Sequence, residues 1–173
     1  MDVIDIPLLA ARPKAYQPEN WLLDPERRWV KVGRVTWNDL PQLAESPAPL
    51  WVNGHHTYNG HNDKIPLGIA HELLTSLALL KVDRLRLSVF PSGEAFGNPK
   101  RRVQGQFVHA DSAYRLWVTD PEYERRFLGQ PDGGYELGES YLTVSLGELY
   151  EGCCYKLVAA IIERAMVLPG DAA

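Results

Sequence analysis

The chain has 173 residues, 45% hydrophobic and 23% charged, a composition typical of a folded globular protein with one ordinary domain or two very small ones. A net charge of −4 argues against a strongly basic nucleic-acid-binding protein. No apolar run reaches the length of a transmembrane helix, and the first residues lack the basic stretch of a signal peptide. We therefore expect a cytoplasmic location and no membrane contact.

The charge is distributed unevenly along the chain. Lys81–Arg126 contains nine basic and six acidic residues, whereas Phe127–Ala173 contains two basic and seven acidic residues. The middle of the chain is thus the only part with a positive bias.

The first half of the sequence predicts short elements separated by loops. The first are a strand at Val3–Ile6 that stops at Pro7, an ordered loop over Arg12–Asp24 and a strand at Trp29–Val35. A short helix follows, with Thr36 as its N-cap and Leu40 as its end, and then a short apolar run or strand at Leu50–Val52. The last are a loop over Asn53–Pro66 and, within Ile69–Val82, a helical turn that gives way to a strand.

The loop over Asn53–Pro66 contains two Asn-Gly turns and three histidines, His55, His56 and His61. Histidine is a common metal ligand, so these side chains are weak candidates for a metal site or a metal-dependent enzyme. The spacing is not that of a zinc site, and the adjacent Cys153 and Cys154 bring no second cysteine pair. We therefore expect no metal, no cofactor and no catalytic residues.

The second half predicts a regular order of elements. These are strands at Arg84–Val89, Arg102–Val108 and Tyr114–Thr119, a helix that Asp120 caps and that runs to Leu128, and strands at Ser140–Leu146 and Cys154–Glu163. Three strands, a helix and two strands is the order of an OB-type barrel. The predicted fold class is all-β to α+β, with a five-stranded OB-type barrel at residues 83–164, an N-terminal half at residues 1–82 and a flexible tail at residues 165–173.

Alternation assigns the side chains of the first three barrel strands to two faces. The outward face carries cations, amides and one tryptophan, which is the combination that binds single-stranded nucleic acid in OB barrels. The predicted nucleic-acid-binding residues are Arg84, Arg86, Lys100, Arg101, Arg102, Gln104, Gln106, Arg115 and Trp117. The alternative is a solvated face, or a face covered by the N-terminal half with Trp117 packed beneath it.

Four segments, Tyr16–Leu23, Val118–Pro121, Ser145–Gly147 and Tyr155–Ile162, together resemble the prokaryotic dual OB-containing domain family. The resemblance implies a second, OB-like barrel in the N-terminal half and a role near nucleic acids, including prokaryotic defence against phage. It supplies no catalytic residues. Longer relatives begin with a segment of Ser-Arg-Lys and Gly-Arg-Cys type, whereas this chain starts at Met1-Asp2-Val3. We therefore expect a shortened member with a partial first barrel, which either lacks strands or takes the missing piece from another chain.

Two functions follow from different features of the sequence. The outward face predicts a non-enzymatic protein that binds single-stranded nucleic acid or a nucleic-acid-handling complex. An incomplete N-terminal barrel would expose a strand edge, which predicts instead a subunit that docks on a partner protein.

Overall fold

A computed structural model describes residues 1–14, 16–94 and 97–164. The strands are β1 (Asp2–Asp5), β2 (Leu8–Ala11), β3 (Trp21–Leu23), β4 (Val30–Arg34), β5 (Lys64–Pro66), β6 (Leu77–Ser92), β7 (Lys100–His109), β8 (Ser112–Val118), β9 (Gly133–Tyr150) and β10 (Cys153–Glu163). The helices are a 3₁₀ helix (Trp37–Gln42), α1 (Leu67–Ala70) and α2 (Pro121–Leu128). Among these residues, no helix is long and apolar enough to span a bilayer.

The last five strands close into a barrel. β6, β7 and β8 form an antiparallel meander, β10 pairs with β8 in parallel and with β9 antiparallel, and β9 pairs with β6 to complete the circle. With α2 placed between β8 and β9, this is the OB arrangement that the sequence predicts. The alternation of apolar residues explains it, because the face opposite the predicted outward face is buried. Its side chains are Leu85, Leu87, Val89, Val103, Phe107, Tyr114, Leu116 and Val118.

The capping of α2 follows the prediction and also ties the helix to the barrel. One carboxylate oxygen of Asp120 accepts hydrogen bonds from the backbone of Glu122 and Tyr123, and the other accepts one from the backbone of Ile161 at 3.0 Å. Pro121 occupies the first turn, where its missing N–H has no cost. The same carboxylate therefore starts the helix and fixes the position of β10.

Two barrel strands, β6 (Leu77–Ser92) and β9 (Gly133–Tyr150), are much longer than the sequence indicates. β6 begins at Leu77, so it runs without interruption across the expected domain boundary at residues 82 and 83. Its pairing with β9 shifts register between Val82 and Leu85, and such a bulge bends both strands around the barrel. The division into two domains remains a prediction, and the expected tail at residues 165–173 lies outside the described residues.

The first half of the chain contains small two-stranded sheets, and one of its loops covers part of the barrel. β1 pairs with β4, and β2 pairs with β3, so the four strands form a two-stranded ribbon. The sequence predicts a continuous loop over Arg12–Asp24, but β3 lies within that range. Thr36 precedes the 3₁₀ helix as expected, and Asp39 accepts hydrogen bonds from its backbone and hydroxyl at 2.7 and 2.8 Å. Leu50–Val52 is not a strand. The small sheets are consistent with the partial OB-like half that the sequence predicts.

Candidate nucleic-acid interface

We use the name histidine loop for residues 53–63, which lie along the edge of β8 that faces away from β7 and reach over the outward face at Gln104. The backbone of His61 pairs with that of Arg115 through two hydrogen bonds of 3.0 and 3.1 Å. The Asn62 amide donates to the carbonyl of Ala113, and the Gln104 amide donates to the carbonyl of Asn59 at 2.8 Å. The face predicted to be open is therefore divided by the chain's own loop.

Polar contacts within the histidine loop hold its shape. The buried carboxylate of Asp63 accepts hydrogen bonds from the backbone and the hydroxyl of Thr57. A Cβ atom at Gly60 would lie 1.8 Å from that carboxylate, so only glycine fits there. His56 accepts a hydrogen bond from the backbone of Asn62 at 2.8 Å. These side-chain hydrogen bonds hold the loop in one conformation. They take the place of the backbone hydrogen bonds that a β-strand would make with its neighbour.

A buried lysine anchors the start of the loop from below. The ammonium group of Lys156 donates to the carbonyl of Val52 at 2.6 Å and lies over the ring of Tyr114. The hydroxyl of Tyr114 donates to the Asn53 side chain at 2.9 Å. Burial lowers the pKa of Lys156 to about 7, and the charge of Asp63 opposes this shift. Lys156 thus joins β10, β8 and the histidine loop in one polar network.

On one side of the histidine loop is a cleft of about 620 Å³, which we call the aromatic cleft. Trp117 is half-buried in it, with the guanidinium of Arg102 5.3 Å from its ring centroid and Phe90 5.7 Å away. The remaining wall comes from the histidine loop and from β9 and β10, through Tyr58, Asn59, Glu148, Tyr150, Tyr155 and Leu157. Aromatic rings with an adjacent guanidinium form a surface on which a nucleobase stacks.

On the other side of the histidine loop is a wider groove of about 1140 Å³, which we call the basic groove. Its lining contains four cations, Lys81, Arg84, Arg86 and Arg115, and three acids, Asp83, Asp111 and Glu136. Two of the cations have acidic partners, since Lys81 pairs with Glu139 at 2.6 Å and Arg86 with Glu136 at 3.5 Å. In the part of the chain that the structure describes, no ion pair engages Arg84 or Arg115. These two exposed guanidinium groups are therefore available to phosphate.

The predicted binding residues fall into separate groups. Arg102 and Trp117 meet in the aromatic cleft, and Arg84, Arg86, Gln106 and Arg115 line the basic groove. Lys100 is exposed at the start of β7, opposite Ser92, and lines neither surface.

Two of the predictions need correction. Gln104 was expected to be exposed but is 2% exposed, because Asn59 covers it. Arg101 points to the loop after α2, where it binds Asp132 at 2.8 Å and two backbone carbonyls. The sequence analysis also missed Tyr155 and Leu157, although alternation along β10 could have placed both outward together.

The histidines do not assemble a metal site. The rings of His56 and His61 stack at 4.4 Å, nearly parallel. Burial lowers the pKa of His61, and the charges of His56 and Arg115 lower it further. Within the described ranges, no group of three His, Cys, Asp or Glu side chains is placed to hold a metal ion. Of the weak metal candidates His55, His56 and His61, the last two are therefore better understood as residues that shape the loop between the two surfaces.

The barrel topology and the small N-terminal sheets agree with a comparison against known families. The profile of the dual OB-containing domain matches residues 1–161 of this chain. The chain belongs to this family. Comparisons with curated proteins and with solved structures gave no significant match. The OB topology of this dual OB-containing domain is typical of a binding module, whereas its expected shortening at the N-terminus remains a prediction.

Proposed function

We propose that this dual OB-containing domain binds single-stranded nucleic acid across the outward face of its barrel. Bases stack in the aromatic cleft on Trp117, and the sugar-phosphate backbone continues over the basic groove. The observation that carries the proposal is the position of Trp117, which is half-buried under Arg102 in an aromatic-lined cleft. A core tryptophan would be enclosed, whereas a half-buried ring beside a cation fits a stacking platform.

The aromatic cleft binds bases, and the basic groove binds phosphates. Stacking of one base on an aromatic side chain contributes about 1–3 kcal/mol and tolerates any base, which favours weak sequence preference. The cations of the basic groove neutralise phosphates, and Arg84 and Arg115 do so without first giving up an ion pair. The net charge of −4 makes binding depend on this local arrangement, since the protein as a whole repels a polyanion.

The histidine loop selects a flexible ligand. It covers Gln104 on the outward face between the two surfaces, so a bound chain must bend over Asn59 to reach both. A single strand can follow such a path, whereas a duplex is stiff over this length. The proposal therefore specifies single strands and excludes double-stranded DNA as the main ligand.

Fluorescence anisotropy with a labelled twelve-nucleotide oligo-dT tests the proposal. We expect Trp117→Ala to weaken binding about tenfold, because one stacked base is lost, while Trp117→Phe retains most of the affinity. Arg84→Ala should lower the slope of log affinity against log salt by about 0.7, the value for one phosphate on a single strand. Arg125→Ala, which removes an exposed cation on α2, is the matched control and should leave the slope unchanged.

Three results would contradict the proposal. The first is the absence of binding at 50 mM salt, the second is equal affinity of Trp117→Ala and the parent protein, and the third is equal binding of the duplex. The same proposal includes the wider setting that the family resemblance implies, which is a cytoplasmic complex for nucleic-acid handling or for defence. Co-purification from a native host that disappears on nuclease treatment would support that setting, and nuclease-resistant association would favour the alternative of a docking subunit.

A further inference from the structure

His61 is the residue through which the histidine loop enters the basic groove. Of the described residues 53–63, His61 alone lines that groove, and its side chain is half-buried there. The proposed function uses Arg84 and Arg115 in the groove and gives His61 no role. In the described part of the chain, no hydrogen bond engages the His61 ring. An imidazole without a hydrogen-bond partner, beside guanidinium groups without an ion pair, is a further candidate ligand for phosphate.

Register places His61 directly beside Arg115 of β8. The two residues exchange both of their backbone hydrogen bonds, since the N–H of His61 donates to the carbonyl of Arg115 at 3.1 Å and the N–H of Arg115 donates back at 3.0 Å. In an antiparallel pair of this kind the Cα atoms are about 5.5 Å apart and the two side chains lie on the same face. Two oxygens of one phosphate can therefore bind the guanidinium and the imidazole together.

Without an anion, the surroundings of His61 disfavour a proton on its ring. Like charges directly opposite each other in a sheet are destabilising. Burial lowers the pKa of His61, the charges of His56 and Arg115 lower it further, and the charge of Asp63 opposes them. His56 stacks on the ring at 4.4 Å, and its Nδ1 carries no proton because it accepts a hydrogen bond from the backbone of Asn62. A phosphate beside Arg115 would reverse this balance, since its negative charge favours the charged imidazole.

The basic groove has little net positive charge while His61 is neutral. Its four cations and three acids leave a single positive charge, which a proton on His61 would double. The charged or titratable groups that line the groove on other elements are Lys81, Asp83, Arg84 and Arg86 of β6, His109 of β7, Asp111 of the following turn, Arg115 of β8 and Glu136 of β9. The second groove histidine, His109, is already engaged, since its Nε2 lies 2.8 Å from the carbonyl of Pro47. His61 is therefore the group placed to add charge when a phosphate binds.

We propose that Arg115 and a protonated His61 together bind a phosphate group of the ligand, so that the domain takes up a proton from solvent when it binds. This inference rests on the proposed function and adds a dependence on pH to it. A phosphodiester keeps its single negative charge between pH 5.5 and pH 8, so the proton goes to the protein and not to the ligand. Proton binding and ligand binding are reciprocally coupled, and affinity therefore increases as the pH falls through the range in which free His61 is neutral and bound His61 is charged.

Fluorescence anisotropy with the twelve-nucleotide oligo-dT between pH 8 and pH 5.5, at constant ionic strength, measures this dependence. An opposite charge within about 4–6 Å moves a pKa by about 1–3, and a half-buried ring belongs at the lower limit, so affinity should rise about tenfold as the pH falls. His61→Gln removes the titration and should reduce the rise to less than about twofold. His55→Gln, which changes a histidine of the same loop outside both surfaces, is the matched control and should keep the dependence of the parent protein.

NMR titration of the histidine rings in the parent protein keeps the test valid if a variant loses its fold. The pKa of His61 should rise by about one when the oligonucleotide saturates the protein. An oligonucleotide that binds without moving the His61 titration, or a pH dependence that persists in His61→Gln, would overturn this inference and leave the proposed function intact.

An oligonucleotide that does not bind would overturn the proposed function, and sulfate would then replace it as a probe of the groove whose charge is constant over this pH range. A His61 pKa that is higher in sulfate than in chloride of the same ionic strength would support the paired phosphate ligands. Equal pKa values in the two salts would overturn the inference.

Discussion

Lys156→Met should remove a pH dependence of stability that Lys156 alone creates. Lys156 is 1% exposed, and burial lowers its pKa to about 7 from an ordinary value of 10.5. Between these two values the unfolded chain binds the proton more tightly than the folded chain. The free energy of unfolding therefore rises as the pH rises from 7 towards 10.5.

The expected size of this effect follows from the two pKa values. Between pH 7 and pH 9 the contribution of Lys156 to the free energy of unfolding increases by about 2.3 kcal/mol. The variant keeps a side chain of similar length and loses the titration. Burial raises the pKa of Cys154, and that group also acts in this range, but it is present in both proteins and cancels in the difference.

Urea unfolding at pH 7, 8 and 9, followed by far-UV circular dichroism, provides the measurement. The free energy of the parent minus that of Lys156→Met should rise by about 2 kcal/mol across the range. A difference in the free energy of unfolding that stays constant to within about 0.5 kcal/mol from pH 7 to pH 9 would contradict this reasoning. Lys156 would then not be a buried group that readily loses its proton, and the polar network described beneath the histidine loop would be wrong.

Three further substitutions test separate parts of the fold. Asp120→Ala removes the cap of α2 and the acceptor for the Ile161 amide, so urea unfolding should show a loss of about 2–4 kcal/mol. Tyr141→Phe removes a buried hydroxyl that has no hydrogen-bond partner in the described chain, so the melting temperature should stay the same or rise. Gly60→Ala clashes with Asp63 and should increase hydrogen exchange of the histidine loop while the barrel strands stay protected.

The barrel could be predicted because its signals are local. Strict alternation over Arg84–Val89 and the Asp-Pro start of α2 each determine structure within a few residues. The bend of β6 is not local, since it depends on a register shift against β9, more than fifty residues away. The strand β3 at Trp21–Leu23 was missed for the same reason. It is a strand through its pairing with β2, which lies elsewhere in the chain.

The candidate site could be predicted only in part. Alternation correctly directed Arg84, Arg115 and Trp117 away from the core. It could not reveal that the histidine loop lies over the same face and buries Gln104, because local periodicity gives the direction of a side chain and not what covers it. The loop's Asn-Gly turns predicted its compactness but not its location.

The most direct test of the central claim is a photo-crosslink between a single strand and the aromatic cleft. An oligonucleotide carrying 5-iodouracil would be irradiated with the full chain and the crosslinked peptides identified by mass spectrometry. We expect crosslinks at Trp117, with Tyr155 as the neighbouring ring, and their loss in Trp117→Ala. Crosslinks confined to two exposed tryptophans of the N-terminal half, Trp21 and Trp29, would contradict binding on the barrel face.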